Sequence, residues 1–281
     1  MNCDLHTHTV HSDGSYTPTE LVRAAKEKNL IIALTDHNTV SGLSEFVAEA
    51  ERLQLEVVCG TELSCVYEGK EFHLIGLFID PQYYSEVEDL CIEYHSLKKK
   101  SNIDLIDKLC ALGYNLSYAE IQKQNVNGRV NRAHIAAELL KKGYVQSITE
   151  AFSKLLDEKC GIYVPPKRLS LTDGIGFLRK IKALPVIAHP LKEIGPGELR
   201  KMLPEMKAAG LIGMETMHSS YSEEQIAVSK EIASEFALLE SGGSDFHGSN
   251  KPGIELGVGK GNLNISDEKY FEFKRLKEAL R

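Results

Sequence analysis

A series of short apolar runs in this chain ends abruptly on histidine, aspartate or glutamate, and this pattern constrains the fold most. "LIIALTDHN" closes on Asp36 and His37, "EVVCGTELS" on Glu62, "PVIAHP" on His189, and "LLESGGSDFHG" on Asp245 and His247. The opening run "CDLHTHTVHSDG" carries His6 and His8 in the same way. Between these runs lie helical patterns. In "TPTELVRAAKEKNL", Thr17 is placed as N-cap, Pro18 at the first helical position, and Glu20 closes a capping box. "LSEFVAEAERLQL", "SLTDGIGFLRKIKAL", "PGELRKMLPEMKAAG" and "SEEQIAVSKEIASEFA", the last boxed by Ser222 and Gln225, follow the same period. Strand-then-helix order predicts a parallel sheet with helices outside it. In a parallel barrel the strand ends converge on one face, so side chains far apart in sequence would meet there. "EFHLIGLFID" is a further strand candidate, with His73 inside it or at its start rather than at its end.

From about Ser85 to Lys159 the strand signal disappears. "SEVEDLCIEYHSLKKKSNIDLIDKLCALGY" reads as a long helix and three shorter ones follow, two opening at Ser117/Glu120 and Ser147/Glu150. The expected organisation is an α/β body over 1–84 and 160–281, interrupted by a helical cap subdomain over 85–159.

Composition narrows the functional classes. The 281 residues are 42% hydrophobic and 26% charged, which is ordinary for a globular protein and argues against disorder. A net charge of −7 speaks against a duplex nucleic-acid coat, while a local cationic site could still take a small anion. No apolar run approaches bilayer length, so no membrane partner is expected. The six cysteines are scattered without a C-x-x-C pair and read as free thiols of a cytoplasmic protein.

His6 and His8 stand at i and i+2 of a strand and therefore share a face. Taken singly, that pair, Asp245-x-His247 and Asp36–His37 each also suit an ordinary loop. Gathered on one rim they point to a metal cluster. Imidazole with carboxylate suits zinc, manganese or iron, and a carboxylate such as Glu62 can bridge two ions.

Together "DLHTHTVHSDG", "ALTDHNT", "GTELS", "HLIGLFID", "VIAHP" and "GGSDFHG" resemble, in order, the PHP family of polymerase and histidinol phosphatase phosphoesterases. The resemblance implies a distorted seven-stranded (β/α) barrel with two or three divalent ions, Mn, Fe or Zn. It implies one ion on His6, His8, Glu62 and Asp245, and a second sharing Glu62 with His73 and His189. The third would use Asp13, His37 and His247; many relatives carry histidine where this chain has Asp13. His11 matches no ligand position and reads as a loop residue. Glu215 and His218 end a strand; His218 is a candidate pocket-lining residue and Glu215 a candidate hydrogen-bonding one.

The segment "VNRAHIAAELLKKGYVQSITEAFSKLLDEKCGIYVPPKRLSLTDGI" resembles PHP proteins acting on nucleoside 3',5'-bisphosphates and short RNA 5' ends. By that resemblance Arg132, His134 and one of Lys167 or Arg168 would bind substrate phosphate, with Arg129 a weaker candidate. The implied activity is phosphomonoester hydrolysis by metal-activated water, without a protein nucleophile. The expected substrate is a nucleoside 3',5'-bisphosphate cleaved at its 3'-phosphate, with short single-stranded 5'-phosphorylated RNA as a further class. The alternatives are a phosphatase for histidinol phosphate or another small metabolite, and, from a different class, a non-catalytic metal-binding regulatory module.

Overall fold

The computed structural model describes residues 1–124 and 130–280. Eight strands form one sheet: β1 (Asn2–Asp4), β2 (Leu30–Leu34), β3 (Val57–Tyr67), β4 (Lys70–Leu77), β5 (Leu169–Ser170), β6 (Leu184–Ile187), β7 (Gly213–His218) and β8 (Leu239–Gly243). Seven of them run β1-β2-β3-β4-β6-β7-β8, and the short β5 pairs with β3 off that path. The two ends of the sheet meet, because Leu5 N donates to Gly242 O at 3.1 Å and Asp245 N to His6 O at 3.0 Å. The result is a nearly closed seven-stranded α/β barrel. Gly243 makes this closure possible, since a Cβ there would overlap the His6 side chain.

The expected helices form at their signals. Helix α1 (Pro18–Glu27) has Thr17 and Glu20 in a complete capping box, and α2 (Leu43–Leu53) follows β2. The sheet departs from the all-parallel expectation in one sector. β1-β2-β3 and β6-β7-β8 are parallel, but β4 is antiparallel to both β3 and β6. The cause is local: Glu68 and Gly69, at φ 47° and 77°, make a two-residue hairpin turn that reverses the chain directly. The dipeptide is legible in "VYEGKEF" as a turn signal between two strands.

By packing, the chain divides into Met1–Asp89 with Arg168–Arg281, and Leu90–Lys167. These boundaries differ from 84/85 and 159/160. Helix α3 (Tyr84–Ala111) is continuous past the first point, and Tyr163 packs into the helical core beyond the second. In the barrel unit, Ile31, Ala33, Ile75, Val186 and Phe273 are among the buried core side chains. Outside the strands this unit carries α7 (Leu171–Lys180), α8 (Pro196–Ala209), α9 (Glu223–Glu235) and α10 (Glu268–Ala279). Helix α10 was not anticipated, although its buried residues Tyr270, Phe273 and Lys277 recur at helical spacing.

The helical unit has its own core, built from residues such as Leu105, Leu109, Ile135, Leu139 and Leu156. It contains α4 (Tyr118–Lys123), α5 (Arg132–Lys141) and α6 (Ile148–Ala151), the last running into a π-helical turn over Phe152–Leu156. Ser117 and Ser147 cap α4 and α6 as their motifs predict. Glu150, however, reaches back to Gln146 N rather than Ser147 N. Among the described residues no helix is long and apolar enough to cross a membrane.

Candidate metal centre

All nine residues expected as metal ligands come together at one end of the barrel unit. Glu62, fully buried on β3, is at the middle and divides its two oxygens. Oε2 lies 3.2 Å from His6 Nε2, 3.3 Å from His8 Nε2 and 2.9 Å from His37 Nδ1. Oε1 lies 2.9 Å from His73 Nδ1 and 3.2 Å from His189 Nε2. A carboxylate facing two groups of imidazoles in this way can bridge two cations. Asp245 Oδ1 adds to the first group at 3.4 Å from His8 Nε2 and 3.8 Å from His6 Nε2. Asp13 lies 3.1 Å from His247 Nε2 and 3.8 Å from His37 Nε2. Ligand atoms of His8, Asp13, His37 and His247 thus gather into a further set.

The side chains fit divalent ions on an independent count. His6 Nε2, His8 Nε2, His247 Nε2, His73 Nδ1 and Glu62 Oε2 are all buried and make no hydrogen bond. Buried polar atoms without partners cost about 1–3 kcal/mol each. One or more cations would satisfy the whole group.

Surrounding hydrogen bonds fix which ring nitrogens face inward. His6 Nδ1 is held by Glu215 Oε1 at 3.0 Å, and the other Glu215 oxygen accepts the His189 backbone N–H at 2.7 Å. His247 Nδ1 donates to the Asp245 carbonyl at 2.8 Å. The contacts at His6 and His247 each commit Nδ1 and leave Nε2 for the cluster, as metal-binding histidines require. Asp36 is not aimed at the cluster. It accepts from Thr9 N at 2.7 Å and from the hydroxyls of Thr9 and Ser12 at 2.5 Å, so it pins the loop that leads to Asp13. Asp4 does the same for the other side, accepting from Ser244 N and Gly257 N at 2.8 Å. His189 and Asp245 both adopt left-handed backbone conformations, at φ 30° and 58°. Such strain is uncommon outside glycine and tends to mark functional positions.

The electrostatics are those of a tightly coupled cluster. Burial opposes charge on His6, yet Glu62 and Glu215 hold its pKa well above the usual imidazole range. Burial opposes His8 and His73 too, but carboxylate neighbours raise them to about 9 and about 10. Burial works against ionised Glu62, and His37, His6 and His73 overcome it, driving its pKa well below the carboxylate range. His189 goes the other way, lowered to about 4 chiefly by burial.

The expected phosphate-binding residues have local partners. Arg132 stacks 4.3 Å from the centroid of Tyr163 and donates to Leu156 O at 3.1 Å. His134 completes a capping box with Asn131 at the start of α5. Lys167 is exposed. Arg168 pairs with Glu71 at 3.0 Å, and the other Glu71 oxygen is 3.7 Å from His73 Nε2. Arg129 lies outside the described residues. His11 is bonded to Ser41 at 2.8 Å, away from the ligand set. His218, expected at a strand end, stands 3.4 Å from Asp245 Oδ2. Lys251, 2.7 Å from that same oxygen, was not anticipated; its only signal is a basic residue six positions after Asp245.

Barrel, strand-end position and ligand chemistry together define a hydrolase that works through bound cations. A sequence profile of the PHP domain matches residues 4–162. A 5'-3' exoribonuclease of Haemophilus influenzae is 32% identical, over 87% of this chain and 89% of that protein. A 3',5'-nucleoside bisphosphate phosphatase of Chromobacterium violaceum is 30% identical, over 91% of this chain and 90% of its own. The solved structure of a Bifidobacterium adolescentis protein, described as a metal-dependent phosphoesterase, superposes with a TM-score of 0.75 at 27% identity. That match covers 96% of this chain and 94% of the other. This chain belongs to the PHP family. It is a metal-dependent phosphoesterase.

Proposed function

We propose that this protein removes the 3'-phosphate of nucleoside 3',5'-bisphosphates, with short 5'-phosphorylated RNA as a second substrate class. The observation that carries the chemistry is the convergence of unpartnered histidine nitrogens on the two oxygens of Glu62. The substrate class is supported by the names of the two relatives aligned along nearly the whole chain.

Two or three divalent ions, manganese, iron or zinc, would be held as follows. His6, His8, Glu62 and Asp245 hold the first; Glu62, His73 and His189 the second; Asp13, His37 and His247 the third. When bound, such ions act as Lewis acids on phosphoryl oxygens and supply hydroxide near neutral pH. The protein's own task is orientation. Glu215 fixes the His6 ring, the Asp245 carbonyl fixes His247, and Asp36 holds the loop bearing Asp13. The proposed phosphate holders are Arg132, His134, Lys167 and Arg168. The Arg132 guanidinium is already oriented on the Tyr163 ring, which lowers the entropy lost when it binds an anion.

The test is phosphate release by manganese-loaded protein from adenosine 3',5'-bisphosphate, a 5'-phosphorylated RNA trimer, AMP and histidinol phosphate. Arg132→Ala is assayed in parallel. Selective turnover of the bisphosphate or RNA, reduced in Arg132→Ala, is expected. Preference for histidinol phosphate, unchanged in the variant, would replace the substrate assignment by that of a small-metabolite phosphatase. Metal binding without any turnover would favour a regulatory module.

A further inference from the structure

Asp245 treats its two oxygens differently. Oδ1 faces the Nε2 atoms of His8 and His6 at 3.4 and 3.8 Å. Oδ2 faces Lys251 Nζ at 2.7 Å and His218 Nε2 at 3.4 Å. His218 is buried, and its Nδ1 accepts the Ser220 backbone N–H at 3.2 Å. The Ser220 hydroxyl lies 2.8 Å from the same nitrogen, while the buried Nε2 makes no hydrogen bond. His218 also stands with His6, His189 and Glu215 in a group that could hold a cation.

Lys251 is placed to do more than neutralise Asp245. Its side chain is 42% exposed, so the ammonium reaches in from the solvent side of the rim. An ammonium has three donors, and Asp245 takes one. The loop beneath it is anchored: Asn250 Nδ2 donates to Asp13 O at 2.9 Å and Ser249 N to Ser15 Oγ at 2.8 Å. In the barrel unit, among the described residues, no other lysine or arginine forms an ion pair with one of the nine proposed ligands. Arg168 is paired with Glu71.

We propose that Lys251 is a phosphate-binding group of the active site. Its spare donors take a non-bridging oxygen of the phosphoryl group undergoing hydrolysis, while Asp245 Oδ2 holds the ammonium in place. A charge-assisted bond of this kind counters the negative charge the phosphoryl group brings into the cluster. The inference rests on the ligand set proposed above.

The experiment compares manganese-loaded wild type, Lys251→Ala and Lys251→Arg. It measures the Kd of orthophosphate by calorimetry, bound metal by elemental analysis, and kcat/KM for adenosine 3',5'-bisphosphate. Lys251→Ala should weaken orthophosphate binding by on the order of tenfold or more, the size of one charged hydrogen bond. It should lower kcat/KM with metal content unchanged, and Lys251→Arg should recover most of the affinity. Unchanged orthophosphate affinity in Lys251→Ala would overturn the proposal. So would a loss that tracks loss of metal, since Lys251 would then only support Asp245. If wild type binds orthophosphate but hydrolyses no ester, the substrate reading fails while the affinity difference still decides the role of Lys251.

Discussion

The barrel rim and the helical unit bury polar and apolar groups on opposite terms. At the rim, fully buried His6, His8 and Glu62 face one another with nitrogen and oxygen atoms left unbonded. In the helical unit the cluster around Leu105, Ile135 and Leu139 is apolar, and its polar side chains serve local ends. Arg132 lies on Tyr163, His134 caps its own helix, and Asn102 donates to Val130 O. The second arrangement is complete as it stands. The first spends folding energy on a constellation that only a bound cation completes, which is how a site differs from a core.

The strongest way to break this comparison is to remove the central carboxylate. Glu62→Gln takes away the one group that faces both histidine sets, so the first two ions and phosphoester hydrolysis should be lost, leaving at most the ion on Asp13, His37 and His247. Elemental analysis and phosphate release check this; a variant retaining full metal content would show that the histidines suffice alone. The next largest effect lies in the other region. Leu139→Ala, at a fully buried position, should cost about 2–5 kcal/mol in denaturant unfolding. Because this core is separate from the ligand set, metal content per folded molecule should not change; a parallel loss of metal would erase the distinction.

A smaller, graded effect sharpens the contrast. Against burial, neighbouring carboxylates raise the pKa of His8 to about 9 and that of His73 to about 10. A cation must displace those protons, so manganese affinity should rise from pH 6 to pH 8 and level off only above about 10. Calorimetry in buffers of different ionisation enthalpy should show proton release on binding. An affinity flat across pH 6–8 would mean that these protons do not compete with metal.

Much of the rim was legible because strand ends are marked chemically. An apolar run that stops on His, Asp or Glu announces both the strand and the side that reacts. His73 was harder, since it sits inside β4; its match to the family pattern placed it, and the β3–β4 register sets it opposite Ser64, two residues from Glu62. The antiparallel sector departs from the parallel expectation, although the Glu68–Gly69 turn is visible in the sequence. The long alternation of strands and helices outweighed two residues. Asp36 illustrates a different limit: adjacent to a proposed ligand and equally polar, it is spent on Thr9 and Ser12. Nothing in "TDHN" separates an acid that staples a loop from one that meets a cation.

By itself, then, the order of residues determined which elements form and which side chains are available at their ends. Periodicity, caps and turn residues are local, and ligand chemistry belongs to the residue type. Only the tertiary structure decided how those side chains divide their atoms. Sheet closure at Gly243 brings Asp245 beside His6 and His8, and the left-handed backbone at Asp245 and His189 marks both as strained. It also decided that one Asp245 oxygen faces histidines while the other faces Lys251 and His218. The contacts of Asp245 with His6 and His8 join residues more than two hundred positions apart. Direction and distance across that gap are properties of the packed barrel, with no counterpart in any short stretch of chain.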